Sequence, residues 1–289
     1  MYDITNRSVE TLDIEISQPE MGHAPQPEGA GLPARKPVNA EGQYIYGIIA
    51  AGQRQEFGPI GIGERGNLVY TVHYQNLAAI VSSSPIIKYA VTRANSMAHI
   101  TVLEKAMQGY TVLPVRFCTI AETEEIIVRK VLKPRYDEFV DLLREMEGKM
   151  ELGVRARWTD LNAIFSEVVE ENRDIKTIKE VLLNEKNEKR KYAGKIKIGQ
   201  LVQKALEEKK KREAKELIEA LKPLSLDYKE NQIYGDMNLV SVAFLVTREQ
   251  ERAFDHKMQE LEKTYGDRKQ LKYIGPVVPY NFVEVVVNW

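Results

Sequence analysis

Apolar residues recur along this chain with two different periods, and the changes of period mark its parts. Residues 43–158 mix short apolar runs of strand length with stretches whose apolar positions return every three to four residues. Tyr44-Ile45-Tyr46-Gly47-Ile48-Ile49-Ala50 suits a buried strand. Residues 67–74 and 77–82 are two more strands, and the Gln75-Asn76 link between them is a hairpin signal. A helix is predicted over about 86–109, from Met97, Ile100, Leu103 and Met107, with Gly109 as its stop. Residues 111–117 read as a strand whose Pro114 requires an edge position or a bulge. Thr119-Ile120-Ala121-Glu122 has the form of a capping box ahead of a second helix, which Pro134 interrupts and Gly148 ends. Residues 150–158 alternate and are expected to close this part as a strand.

Residues 159–222 keep only the helical period and are rich in charge. Ile164, Phe165, Val168 and Val169 form one stripe; Leu201, Val202, Ala205 and Leu206 belong to another, and Pro223 stops it. Two long helices in an antiparallel hairpin are expected here. Strand patterns then return: a short run at 224–228, a strongly apolar one at 237–246, and a last one from Lys269 to Val283. Between them Thr247-Arg248-Glu249-Gln250 is another capping box, and Gly266 ends the helix it starts. This order predicts an α+β fold. Two domains, each a mainly antiparallel sheet with helices on one face (ferredoxin-like type), carry a long charged helical hairpin. The expected bounds are a disordered acidic Pro/Gly-rich arm over 1–42, an N-terminal domain over 43–158, the hairpin over 159–222 and a C-terminal part over 223–289. Within the arm, residues 11–16 alternate at period two and form a candidate short strand.

Composition changes little in this picture. The 289 residues suffice for two cores. A net charge of −1 gives no global basic footprint for nucleic acid. One cysteine, Cys118, excludes an internal disulfide framework and fits a reducing compartment. No apolar run reaches the roughly 20 residues that span a bilayer, and the N-terminal residues lack signal-peptide character. A cytoplasmic protein with no membrane contact is expected.

Candidate chemistry is thin. Gly61-Ile62-Gly63-Glu64-Arg65-Gly66 matches the glycine spacing of a dinucleotide site, but a strand follows it where a helix is required. His23, His73, His99 and His256 are scattered, without zinc-site spacing. The pattern predicts no catalytic residues, no metal site, no cofactor and no small-molecule substrate. The strongest charge feature lies at residues 186–215. It holds Lys186, Lys189, Arg190, Lys191, Lys195, Lys197, Lys204, Lys209, Lys210, Lys211, Arg212 and Lys215 against four glutamates. Such a basic hairpin offers phosphate contacts and makes a nucleic-acid-binding protein the alternative reading. A solvated helical face with ordinary ion pairs, or an acidic protein partner, explains the same residues.

Residues 273–283 stand apart: Tyr273-Ile274-Gly275-Pro276-Val277-Val278-Pro279-Tyr280-Asn281-Phe282-Val283. Two prolines fix an extended shape and exclude a helix or a regular central strand. Either the aromatics anchor this segment on a core, or Tyr273, Pro276, Pro279, Tyr280 and Phe282 present an edge to a partner.

This segment resembles the C-terminal signature G-P-W-P-P-Y-x-F of the gas vesicle GvpF/GvpL family. Other blocks resemble that family in the right order over residues 44–285. Tyr44-Ile45-Tyr46-Gly47-Ile48 is similar to its first strand, and Leu77-Ala78-Ala79-Ile80-Val81-Ser82 to its L-A-A-(V/I)-V-S strand. His99 to Glu104 followed by Val112-Leu113-Pro114-Val115-Arg116-Phe117, and then Glu151-Leu152-Gly153-Val154, resemble two further blocks. Val277 and Val278 replace a tryptophan and a proline of the signature, and Cys118 a glycine. The resemblance implies a non-enzymatic assembly protein or minor component of gas vesicles. It would bind the small, very hydrophobic shell protein and other accessory proteins, and support shell nucleation or growth.

Overall fold

The computed structural model describes residues 40–289. The candidate strand at 11–16 and nearly all of the expected arm lie outside the described residues. The chain forms two compact units. One comprises the residues up to Glu147 together with Glu284–Trp289; the other is Gly148–Val283.

The first unit is built on β1 (Glu41–Ala50), which starts within the span expected for the arm. With β2 (Glu56–Gly58), β3 (Val69–Tyr74), β4 (Leu77–Pro85) and β5 (Val112–Ala121) it makes an antiparallel sheet in the order β2-β3-β4-β1-β5. The β3–β4 hairpin closes at Tyr74 opposite Leu77, with Gln75 at φ 54°, as the two-residue link predicts. β1 and β4 are apolar along most of their length because both sheet faces are covered. On one face, α1 (Arg93–Met107) sets His99 against Tyr44 and Tyr46. The opposite face presents Tyr70 and Tyr74, which meet Glu124 at the start of α2 (Glu124–Ile127) and Tyr136 at the start of α3 (Tyr136–Met146). The one-sided layer expected for each domain is found only in the second unit.

Two helix starts differ from expectation. α1 begins at Arg93, where the Thr92 hydroxyl accepts from the Asn95 amide; Ile86 is still bonded to the Ala40 carbonyl. Thr119 caps nothing, since it sits in β5 with its hydroxyl on the Arg116 carbonyl, and Thr123 caps α2 instead. β5 has both features that Pro114 demanded. It is an edge strand, and it bulges, because Pro114 lies opposite Gly47 and Thr119 opposite Ile45. On its outer side Val285 pairs in parallel with Val115.

The second unit contains the largest correction. β6 (Lys149–Trp158), expected to close the first domain, is central in the second sheet, ordered β7-β8-β6-β9. Its alternation puts Met150, Leu152, Val154, Ala156 and Trp158 into the second core. β7 (Asp227–Glu230), β8 (Asn238–Thr247) and β9 (Lys269–Val277) complete an antiparallel sheet. With helices after β6 and after β8, this is the split β-α-β arrangement of a ferredoxin-like fold.

The helical region after β6 is no separate hairpin of two long helices. It is α4 (Leu161–Glu171), α5 (Arg173–Asn184) and α6 (Glu188–Leu221), with the first arm broken at Asn172. α4 and the second half of α6 supply Ile164, Val168, Leu206, Leu217, Ile218 and Leu221 to the sheet core. The box before α7 (Glu251–Tyr265) is as expected: the Thr247 amide donates to Gln250 Oε1, and the Gln250 amide to Thr247 Oγ1.

Burial lowers the His99 pKa to about 3, from 6.5. A base with a depressed folded pKa stabilises the fold fully above its unfolded value and less as pH falls. Urea unfolding should therefore show stability falling below pH 6.5, above the carboxylate range. His99→Gln should flatten that limb; an unchanged limb contradicts the assignment.

Candidate functional site

The segment at 273–283 begins as the end of β9. Tyr273 stacks on Phe254 at 5.9 Å between ring centroids and donates its hydroxyl to Asp255 Oδ1 at 2.6 Å. Gly275 has φ +127°, and a Cβ there would lie 2.9 Å from the Glu151 carbonyl oxygen. Glycine is therefore required, both for the dihedral and for the approach to β6. The Gly275–Pro276 peptide is cis. Val277, Val278 and Pro279 are buried. A turn follows, in which the amides of Phe282 and Val283 donate to the Pro279 carbonyl at 3.0 and 2.9 Å.

That turn brings Asn281 onto Glu151. Its backbone amide donates to Glu151 Oε2 at 2.8 Å and its Nδ2 to Oε1 at 2.6 Å. Glu151 is buried, and burial pushes its carboxyl pKa up; the Asn281 hydrogen bonds and the charge of Lys229 offset part of this. Lys229 on β7 donates to the Asn281 carbonyl at 2.7 Å and lies 5.4 Å above the Phe282 ring. The segment is thus a strap across β6, tied at β6 and β7. The structure sets Tyr273 against Phe254 on the helix-covered face of the sheet and Phe282 beside Lys229 on the other; Pro276, Pro279 and Tyr280 lie between them in the chain, and none of the five is in the exposed class. Of the residues that tie it down, Glu151 and Asn281 fall within the segments that resemble the family and Lys229 in none, and none of the three is assigned to the site from sequence. The one available signal was an acid within the apolar run Met150-Glu151-Leu152.

A second polar assembly joins the helices to the same sheet. Glu213 on α6 is buried and accepts from Trp158 Nε1 at 2.9 Å, Arg268 Nη1 and Nη2 at 2.9 and 2.6 Å, and Lys269 Nζ at 3.0 Å. Arg268 also grips Glu167 of α4 through Nε and Nη2 at 3.0 and 2.7 Å. Lys209, likewise buried, sits 2.9 Å from Glu167 and 2.6 Å from Glu171. Burial alone would raise the Glu213 pKa; the bonds from Arg268, Trp158 and Lys269 outweigh it and hold the group at about 2. The Arg268 hydrogen bonds lead in holding Glu167 at about 2 as well. Several cations in the basic stretch are therefore already matched within the fold: Lys209 and Arg212 by glutamates, and Lys210 by the Gly235 carbonyl.

The model of the gas vesicle synthesis protein GvpL/GvpF family matches residues 42–284. The chain belongs to the GvpL/GvpF family. Gas vesicle protein F of a Nostoc species is 25% identical over 248 residues, covering 85% of this chain and 99% of that protein. Gas vesicle protein F of a Streptomyces species is 29% identical over 244 residues, covering 83% and 99%. The crystal structure of the gas vesicle protein GvpF from an Anabaena species aligns at a TM-score of 0.73 and 25% identity, over 85% of this chain and 99% of that one. The GvpL/GvpF match thus spans both units and ends one residue past the strap. This is a family of gas vesicle proteins, not a known enzyme family. Among the described residues no group of three or more His, Cys, Asp and Glu could hold a metal ion. The glycine-patterned loop opens no helix and leads instead into β3. No helix among the described residues is long and apolar enough to cross a membrane.

Asn281→Ala removes one of two donors from a buried carboxylate and should cost about 1–3 kcal/mol in urea unfolding. A cost near zero would show that the strap is not held there. Glu213→Gln should cost about 3 kcal/mol, because it leaves cations without their counter-charge. A carboxylate with a depressed pKa stabilises above its unfolded value, here 4.5, and loses that contribution as pH falls toward about 2. The variant should show a shallower acid limb over that window; an identical limb contradicts the network's role.

Proposed function

We propose that this chain is a gas vesicle assembly protein or minor vesicle component, binding the hydrophobic shell protein and other accessory proteins in the cytoplasm to support shell nucleation or growth. The observation that carries this reading is the family match over residues 42–284, with relatives named gas vesicle protein F aligned over almost their whole length. The physical rationale is simple. A shell subunit with large apolar faces aggregates until assembled, and a folded partner that covers those faces prevents it. Such a task requires binding surface and no catalytic residues.

The strap enters this reading through shape. Tyr273 anchors it on Phe254 and Phe282 lies by Lys229, and the partly exposed rings of Tyr280 and Phe282 are the parts we propose as available to partner contact. Nucleic-acid binding through residues 186–215 has no support among the relatives.

Co-purification of the tagged full chain with shell protein tests the reading. The wild type should retain the shell protein; retention of neither it nor another vesicle component would sink the proposal. Tyr280→Ala with Phe282→Ala separates the two roles of the strap. A lower melting temperature with binding in proportion to folded protein is expected. Lost binding at an unchanged melting temperature would make those rings a contact surface.

A further inference from the structure

The two halves of α6 are finished differently. In the second half, Lys209 and Arg212 are matched by glutamates and the apolar residues are buried. In the first half, Tyr192 is 69% exposed and Ile196 48% exposed, four residues apart on one helix face. Gly194, midway between them, faces α5, where a Cβ would collide with Leu182. Two positions turn a helix by about 200°, so Tyr192 and Ile196 point away from α5. One turn further on, Gly199 faces open space.

Around this stripe the charge is one-sided. Five basic residues and one acidic residue lie between Glu188 and Gly199, in a chain whose net charge is −1. Lys189 and Lys195 flank the two apolar side chains and are exposed, and among the described residues no carboxylate pairs with them. Lys191 and Lys195 stand four apart, a like-charge spacing that weakens a helix. Yet the start of the helix is fixed: the Asn187 side chain accepts from the amides of Lys189 and Arg190, and Glu185 accepts from the Asn187 amide. This is an ordered helix face with apolar anchors at i and i+4 and an uncompensated cationic rim. Phosphate binding would reward the rim but not the exposed isoleucine.

We propose that the face of α6 around Tyr192 and Ile196 docks an acidic amphipathic helix of a protein partner, whose apolar side chains cover these two and whose carboxylates meet Lys189 and Lys195. The docking does not depend on that partner being the shell protein.

The test titrates the full chain with two fluorescent helical peptides that share leucine positions, one carrying glutamate and the other lysine at the polar positions. The glutamate peptide should bind and the lysine peptide should not. Tyr192→Ser with Ile196→Ser should weaken binding about tenfold. Lys189→Gln with Lys195→Gln should weaken it by about as much, and higher salt should do the same to the wild type. Both variants should keep the wild-type melting temperature, since the altered side chains are exposed; if the serine variant unfolds, the glutamine variant and the salt series decide. Equal binding to wild type and glutamine variant, no binding to any form, or equal binding of both peptides overturns the proposal. So does binding of anionic phospholipid vesicles or single-stranded RNA to this face while the glutamate peptide stays free.

Discussion

Glu213 accepts hydrogen bonds from an indole, a guanidinium and an ammonium group, and the second unit depends on that convergence. The donors come from β6, from the turn after α7 and from the start of β9, while the acceptor comes from α6. Removing such a carboxylate from water is costly, and the attraction of the surrounding charges is what makes its burial tolerable. The arrangement constrains the helix strongly. α6 can approach the sheet only where Glu213 reaches Trp158 and Arg268 together, and Arg268 in turn fixes α4 through Glu167. Apolar contacts of Leu217, Ile218 and Leu221 supply most of the burial. The ion network supplies the register, since apolar packing alone tolerates sliding more readily than paired charges do.

The strap at 273–283 applies the same logic on a smaller scale. A buried acid, Glu151, is kept acceptable by an asparagine that donates twice and by a nearby lysine. Gly275 admits the strap against β6, and the turn after Pro279 aims Asn281 at its acceptor. The proline-aromatic segment is thus held in place largely by polar groups that do not stand out in its composition. Its rings are partly buried against the sheet, whereas the first half of α6 leaves Tyr192 and Ile196 exposed.

Much of the fold was legible in the sequence because local chemistry decided it. The Gln75-Asn76 hairpin, the edge-and-bulge role of Pro114 and the box at Thr247 and Gln250 each follow from backbone rules. The misplaced elements are those whose partners are distant in sequence. β6 has the same alternating pattern in either sheet, and only pairing with β8 and β9 assigns it to the second. The break at Asn172 hides between two stripes of equal period. At the candidate site, the segment itself was visible as an outlier in composition. Glu151, Asn281 and Lys229 were not, because a hydrogen bond across 130 residues leaves no periodic trace. The basic stretch read as one feature, yet two of its twelve cations, Lys209 and Arg212, are internal counter-charge for Glu167, Glu171 and Glu213.

These constraints divide the second unit into a locked base and a presented helix face. Amide hydrogen exchange of the full chain, alone and with the glutamate-bearing helical peptide, tests that division most directly. Partner binding should slow exchange across residues 188–203 of α6 and leave 273–283 unchanged. Slowed exchange in 273–283 with 188–203 unaffected would contradict it, and would make the strap the binding surface.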